Sequence, residues 1–394
     1  MNNLLSHDNF FYFLFLVITF FAIFANEMNG SHIISQYDVI RQLRFPMIVL
    51  VIFAHSYGGV NEGFSLLMSE WNTYEFLRLL ISQTLVKVAM PVFFIMSGYL
   101  IFRTDQGDRS MIAHIERITR PVPLIRLYQQ KIMRRLKTLL IPYLIWNLLM
   151  AIKLKAFSWS MLWVYWKPAG VQIDWFGQEQ LMTAPANMPL WFLRDLMTVS
   201  LLTPIIYILI RKLGLWLMGL LTILYLSGIY AFIPGLSVYA IYFFTFGAFL
   251  SIRKMDLVAS FIRVEIPAYV LSVLFAISML MTYNTPVFSS LMLSFRLVGA
   301  IAVFCLASRI LASTNRRLSA IVCDSSYFIY LAHYVFFFSF IDSAFFAVFG
   351  TSTSALSIHY LLCPLIKVVI FVGIYFIYRI LCSFAFGFDY FLRK

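Results

Sequence analysis

From about residue 43 onward the chain alternates between apolar stretches and short polar or basic connections. A bilayer core is about 30 Å thick, and a helix rising about 1.5 Å per residue crosses it in about 20 residues. Windows of that size fall at 43–60, 79–102, 138–157, 190–210, 213–232, 236–252, 266–283, 289–312, 325–349 and 358–386. No internal repeat, low-complexity tract or polar domain interrupts them. The pattern predicts an all-α fold, a polytopic transmembrane bundle of ten core helices, with residues 37–394 forming one membrane domain. Residues 1–36 are an N-terminal extension. Its apolar segment 10–25 has 16 residues, short for a span, and lacks the basic flank and small-residue cleavage site of a secretory signal. An eleventh helix, an interfacial segment and a dispensable leader before Met28 all remain open for it.

Composition agrees with this pattern. Hydrophobic residues make up 62% of the 394 and charged residues 12%, against roughly 45–50% and about 25% in a soluble domain. That excludes a soluble enzyme, a disordered chain and a nucleic-acid-binding domain, although the net charge is +13. The basic residues sort by side. Connections at 103–137, 211–212, 253–265 and 313–324, with both ends of the core, carry most of them, whereas the opposite loops hold only Arg78 and Lys167. By the positive-inside rule the first set is cytoplasmic, which gives a multi-pass protein with cytoplasmic core termini. The loop 103–137 sets Arg103, Arg109, Arg117, Arg120, Arg126, Lys131, Arg134, Arg135 and Lys137 against Asp105, Asp108 and Glu116. Such a loop fixes topology and attracts anionic headgroups, and its cations also suit phosphates.

Ionisable side chains inside spans are costly and are candidate functional groups. In the first span His55 follows Arg44 by eleven residues, about 16 Å along a helix. A neutral imidazole can take a proton from a hydroxyl near pH 7, which suits acyl transfer; a packing histidine is the plainer alternative. Lys87, Arg194, Arg296 and Lys367 share an approximate depth near the outer face with His55, Asp195 and Asp342. Four cations against two acids would line a positively biased cavity, whereas snorkelling would turn each towards the headgroups. Arg194 and Asp195, being adjacent, are expected on different helix faces. His333, read as mid-helix, is either a second base or a hydrogen-bonding strut. His7, His32, His114 and His359 read as incidental, and Asn147 as a polar contact between helices. Cys305, Cys323, Cys363 and Cys382 form no CxxC and read as buried apolar groups. No metal motif, Gly-x-Ser-x-Gly elbow or phosphate-cradling glycine loop is present.

Five runs in order resemble the acyltransferase-3 family of membrane acyltransferases. They are Arg44-x10-His55, Pro91 to Tyr99, Arg134-Arg135-Leu136-Lys137 leading to Pro142-Tyr143, Pro189 to Asp195, and Ser325 to His333. The resemblance implies ten transmembrane helices and transfer of acetyl or another short acyl group from cytoplasmic acyl-CoA to a hydroxyl of a cell-surface or lipid-linked glycan. It matches His55 to the essential histidine and Arg44 to its basic companion. The family's Arg-x-x-Arg pair falls on Arg134 and Lys137, with Arg135 between them, so which of the three carries the role stays open. Lys lacks the planar fork of Arg.

The expectation is therefore an O-acyltransferase with His55 and Arg44 catalytic, Arg134, Arg135 and Lys137 binding acyl-CoA (acetyl-CoA first), and Lys87, Arg194, Asp195, Arg296, His333 and Lys367 on the acceptor side. It has no permanently bound cofactor and no metal; its partners are acyl-CoA, a glycan acceptor and the bilayer, with no nucleic acid. A transporter or exporter of an anionic glycan precursor is the rival, since charges buried along a bundle would suit it too; the inverted repeats that favour transport are absent.

Overall fold

The computed structural model describes residues 35–56, 72–102, 121–155, 159, 167–173, 179–229, 235–283, 285–314, 316–336 and 338–386. The segment 10–25 and the basic loop as far as residue 120 lie outside the described residues.

Among the described residues thirteen helices follow in order: α1 (Gln36–His55), α2 (Thr73–Phe102), α3 (Pro121–Lys153), α4 (Met188–Leu201), α5 (Thr203–Leu213), α6 (Leu215–Leu226), α7 (Val238–Ile252), α8 (Leu257–Ile262), α9 (Glu265–Met281), α10 (Pro286–Thr314), α11 (Ala320–Ala332), α12 (Ser339–Phe349) and α13 (Thr353–Phe386). One antiparallel hairpin, β1 (Lys167–Ile173) with β2 (Glu179–Ala184), stands before α4. The protein is a multi-pass helical membrane bundle. Among the described residues four helices are individually long and apolar enough to span: α2, the Ile132–Lys153 part of α3, α10 and the Thr353–Cys382 part of α13. The α4–α5 pair adds a fifth if its 62° bend lies within one span.

Every stretch read from the hydrophobic pattern contains helix, but three are shaped otherwise than expected. The 190–210 stretch bends between Leu201 and Thr203, where Pro204 removes an N–H from the helical ladder. The 325–349 stretch is broken. Helix α11 ends at Ala332 with His333 as its C-cap, and α12 restarts after Phe338 at a left-handed φ of 49°. His333 is thus at a helix end, not mid-helix. Third, α3 begins at Pro121, so the second half of the basic loop is helical.

The core is continuous and aromatic. Its central joint is α2 against α7, where Gly98 and Gly247 let two backbones approach. A Cβ at Gly98 would collide with the Phe244 carbonyl, and one at Gly247 with the Ile95 carbonyl. Small residues at a membrane crossing permit such contact, since lipid offers no hydrophobic drive of its own. Helix α2 is irregular above this joint: Leu79–Thr84 forms a π-helical turn and Leu85–Val88 a 3₁₀ turn. The Ser82 hydroxyl there donates to the Phe53 carbonyl of α1 at 2.8 Å, which ties the irregular turn to the end of α1.

Candidate active site

Helix α1 carries the two residues that the sequence singled out, and its N-terminal end is firmly held. The Gln36 carboxamide oxygen accepts from the Tyr99 hydroxyl at 2.6 Å and the Leu257 amide at 3.0 Å. Gln42 exchanges two hydrogen bonds with the Leu318 main chain, and Arg317 pairs with Asp38 at 3.0 Å. This clamping sets the rotation of α1, and therefore where Arg44 and His55 face.

Arg44 lines a cavity of about 330 Å³ together with Arg135 of α3. The remaining wall is Phe93, Met96, Ser97 and Leu100 of α2, Leu139 of α3, Phe192, Leu193 and Leu196 of α4, and Ser326, Tyr327 and Tyr330 of α11. Two guanidiniums and a predominantly apolar wall suit a molecule with an anionic head and an apolar arm. Arg134 and Lys137 are exposed and do not line this cavity. Of the three basic candidates on α3, the structure brings Arg135 to Arg44; its Nε is buried with no hydrogen-bond partner. The family resemblance fell on positions 134 and 137 and left the choice among the three open; the rotation of α3 turns 135 inward.

Neither histidine and none of the four outer cations lines this cavity; ring contacts, not open space, join its wall to the histidines. Tyr330, which donates to the Pro189 carbonyl at 2.7 Å, has its ring 6.4 Å from that of His333. The His333 ring lies 5.4 Å from His55, and Tyr334 packs edge-on to His55 at 5.5 Å. His333 is 1% exposed. Its Nδ1 sits 2.9 Å from the Tyr330 carbonyl and 3.1 Å from that of Ile329. A carbonyl can only accept, so Nδ1 carries the proton and the neutral ring presents Nε2 as an acceptor. That Nε2 is buried and has no partner. The break after α11 is what exposes these last carbonyls to the imidazole.

Lys87, on the 3₁₀ turn of α2, is within electrostatic range of His55. Arg296 of α10 is within range of Lys87, and its guanidinium lies 5.0 Å over the Tyr239 ring. The four outer cations therefore divide. Lys87 and Arg296 gather with His55, whereas the other two are held by the acids. Arg194 Nε and Nη2 donate to Asp195 Oδ1 at 3.2 and 3.1 Å, and Ser237 donates to Oδ2 at 2.7 Å. The expectation that these neighbours in sequence would face apart is corrected. The long guanidinium folds back along α4, because both groups are buried, at 1% and 0% exposure, and pairing offsets their desolvation.

Lys367 of α13 joins Asp342 Oδ2 of α12 at 2.8 Å, and His359 Nε2 meets Oδ1 at 2.9 Å. His359, read from sequence as incidental, is buried and part of this clamp. Cys363 completes a group whose donor atoms lie within 4.8 Å of one another, but both carboxylate oxygens are already engaged, and the arrangement binds α12 to α13. Asn147 behaves as expected: its Oδ1 accepts from the Asn187 amide at 2.9 Å, joining α3 to the start of α4.

The fold is a multi-pass helical bundle with an arginine-flanked apolar cavity and a histidine pair joined to its wall by ring contacts. The chain belongs to the acyltransferase-3 family, whose acyltransferase domain matches residues 37–388. It is similar to the succinoglycan biosynthesis protein ExoH of Rhizobium meliloti (strain 1021), at 25% identity over 177 residues. That match covers 44% of this chain and 43% of the relative. No solved structure matches the chain.

Proposed function

We propose that this protein is a bacterial inner-membrane O-acyltransferase. In this reading it moves a short acyl group, acetyl first, from cytoplasmic acyl-CoA to a hydroxyl of a cell-surface or lipid-linked glycan. The observation that carries the reading is the Arg44–Arg135 cavity with Tyr330 in its wall, and the ring contacts that run from Tyr330 to His333 and on to His55. The name of ExoH, a protein of succinoglycan biosynthesis, supports a polysaccharide acceptor.

The chemistry follows from these positions. Arg44 and Arg135 hold the CoA phosphates through charge-assisted hydrogen bonds, on the side that the basic connections assign to the cytoplasm. The apolar wall takes the arm and delivers the thioester towards the histidines. His55 removes the proton of the acceptor hydroxyl as its oxygen attacks the thioester carbonyl. His333, able only to accept at Nε2, takes a hydrogen bond from a neighbouring hydroxyl of the acceptor and so orients it. The C–S bond then breaks and the His55 imidazolium returns the proton to the CoA thiolate. Nearby cations stabilise the oxyanion that forms between these steps.

The test is acyl incorporation from radiolabelled acetyl-CoA into glycan by inside-out vesicles. His55→Ala should lower turnover by about 10²–10⁴-fold while the protein still inserts into the membrane. Wild-type turnover in the purified variant would remove His55 from the mechanism. Glycan movement without incorporation would replace the enzyme by a transporter of an anionic precursor.

A further inference from the structure

Stabilising a transient oxyanion does not account for Lys87 and Arg296 in the resting protein. They are like charges side by side within apolar helices, and such an arrangement is costly without an anion. Among the described residues no carboxylate serves them. Glu75 is bound to Arg78, Asp195 to Arg194, Glu265 to Arg309 and Asp342 to Lys367.

Their placement is built into the fold. Gly299 of α10 faces Val88 so closely that a Cβ there would meet the Val88 side chain at 2.6 Å. This contact seats Arg296, about one turn earlier on α10, against the turn that carries Lys87. The π-helical and 3₁₀ turns of α2 re-aim that segment, and helix irregularities of this type recur at functional sites. The Tyr239 ring supports the Arg296 guanidinium from beneath. The guanidinium shares a hydrogen bond with the Tyr225 hydroxyl, but its Nε is buried and has no hydrogen-bond partner among the described residues.

We propose that Lys87 and Arg296 form a subsite for one carboxylate of the substrate, held beside the His55 imidazole. The proposal rests on the acyltransferase reading and narrows its substrate class to molecules with a carboxylate near the reacting atoms. That carboxylate belongs either to an acidic sugar of the acceptor or to the far end of the acyl group.

Binding to the full chain in nanodiscs, without turnover, tests the subsite. A glucuronate-containing oligosaccharide is compared with its carboxyl-reduced counterpart, and malonyl-CoA with propionyl-CoA. One pair should show about tenfold or greater preference for the charged member, as a charge-assisted hydrogen bond provides. The pair that does so identifies the source. Lys87→Met and Arg296→Met should each collapse that preference, and Lys87→Arg should retain most of it. Equal binding of charged and neutral members in both pairs overturns the subsite, and this result needs no variant to fold. So does a preference that survives both Met variants. Because binding is read without turnover, absence of acyl transfer with the preference intact would overturn the enzyme reading alone.

Discussion

Arg135→Met is the most informative single change on the donor side. It keeps an apolar stem of similar length but removes the guanidinium that faces the cavity with Arg44. Hydrogen bonds to a charged group contribute about 1.5–3 kcal/mol each. Losing one such contact to a CoA phosphate weakens binding by roughly 10–150-fold, at about 1.4 kcal/mol per tenfold. Arg134 and Lys137 are exposed. Removing either takes away only a water-screened attraction of about 1 kcal/mol or less, which amounts to a few-fold at low ionic strength. The assay is the acyl-CoA dissociation constant of the purified protein in nanodiscs, measured by calorimetry at low and at 0.3 M salt, with Arg134→Met and Lys137→Met alongside. Salt should erase the effects of those two variants and leave most of the Arg135 effect. If Arg134→Met or Lys137→Met costs as much as Arg135→Met at both ionic strengths, the cavity is not the donor site and the assignment by helix rotation fails.

Two structural predictions and one on the histidine pair accompany it. Gly98→Ala drives a methyl into the Phe244 carbonyl; with backbone on both sides, relief requires α2 and α7 to separate, at a cost of about 1–3 kcal/mol. Thermal melting of the purified protein should fall by several degrees, and an unchanged midpoint would contradict the close crossing. Asp342→Asn weakens the bonds to Lys367 and His359 at constant volume, and should lower the melting midpoint with little change in acyl-CoA affinity; a selective loss of affinity would instead assign the clamp to the donor site. His333→Phe keeps a ring against His55 but deletes both ring nitrogens, so the Tyr330 carbonyl also loses its imidazole donor. It should lower the melting midpoint modestly and reduce kcat about tenfold or more; unchanged kcat would leave His333 as a structural group only.

The membrane class, the segments that contain helix and the family were legible in the chain itself. Apolar length and basic-residue placement are local, one-dimensional quantities, and lipid leaves a segment of that composition few choices beyond helix. The separation of Arg44 and His55 was legible for a similar reason, since eleven residues on one helix set it without reference to any neighbour. Three matters were decided elsewhere. Which arginine of α3 faces Arg44 depends on the rotation of that helix, and composition along a span does not encode rotation when lipid and protein interior are equally apolar. The break after His333 depends on carbonyls that find an imidazole instead of a next turn. The sorting of four cations into two paired by acids and two left beside His55 depends on contacts between α10 and α2, and between α12 and α13, that bring together residues distant in sequence. Charge count alone could state that two cations would lack an acid; only packing could choose Lys87 and Arg296, because the depth of a residue is set by its own helix and its partner by another.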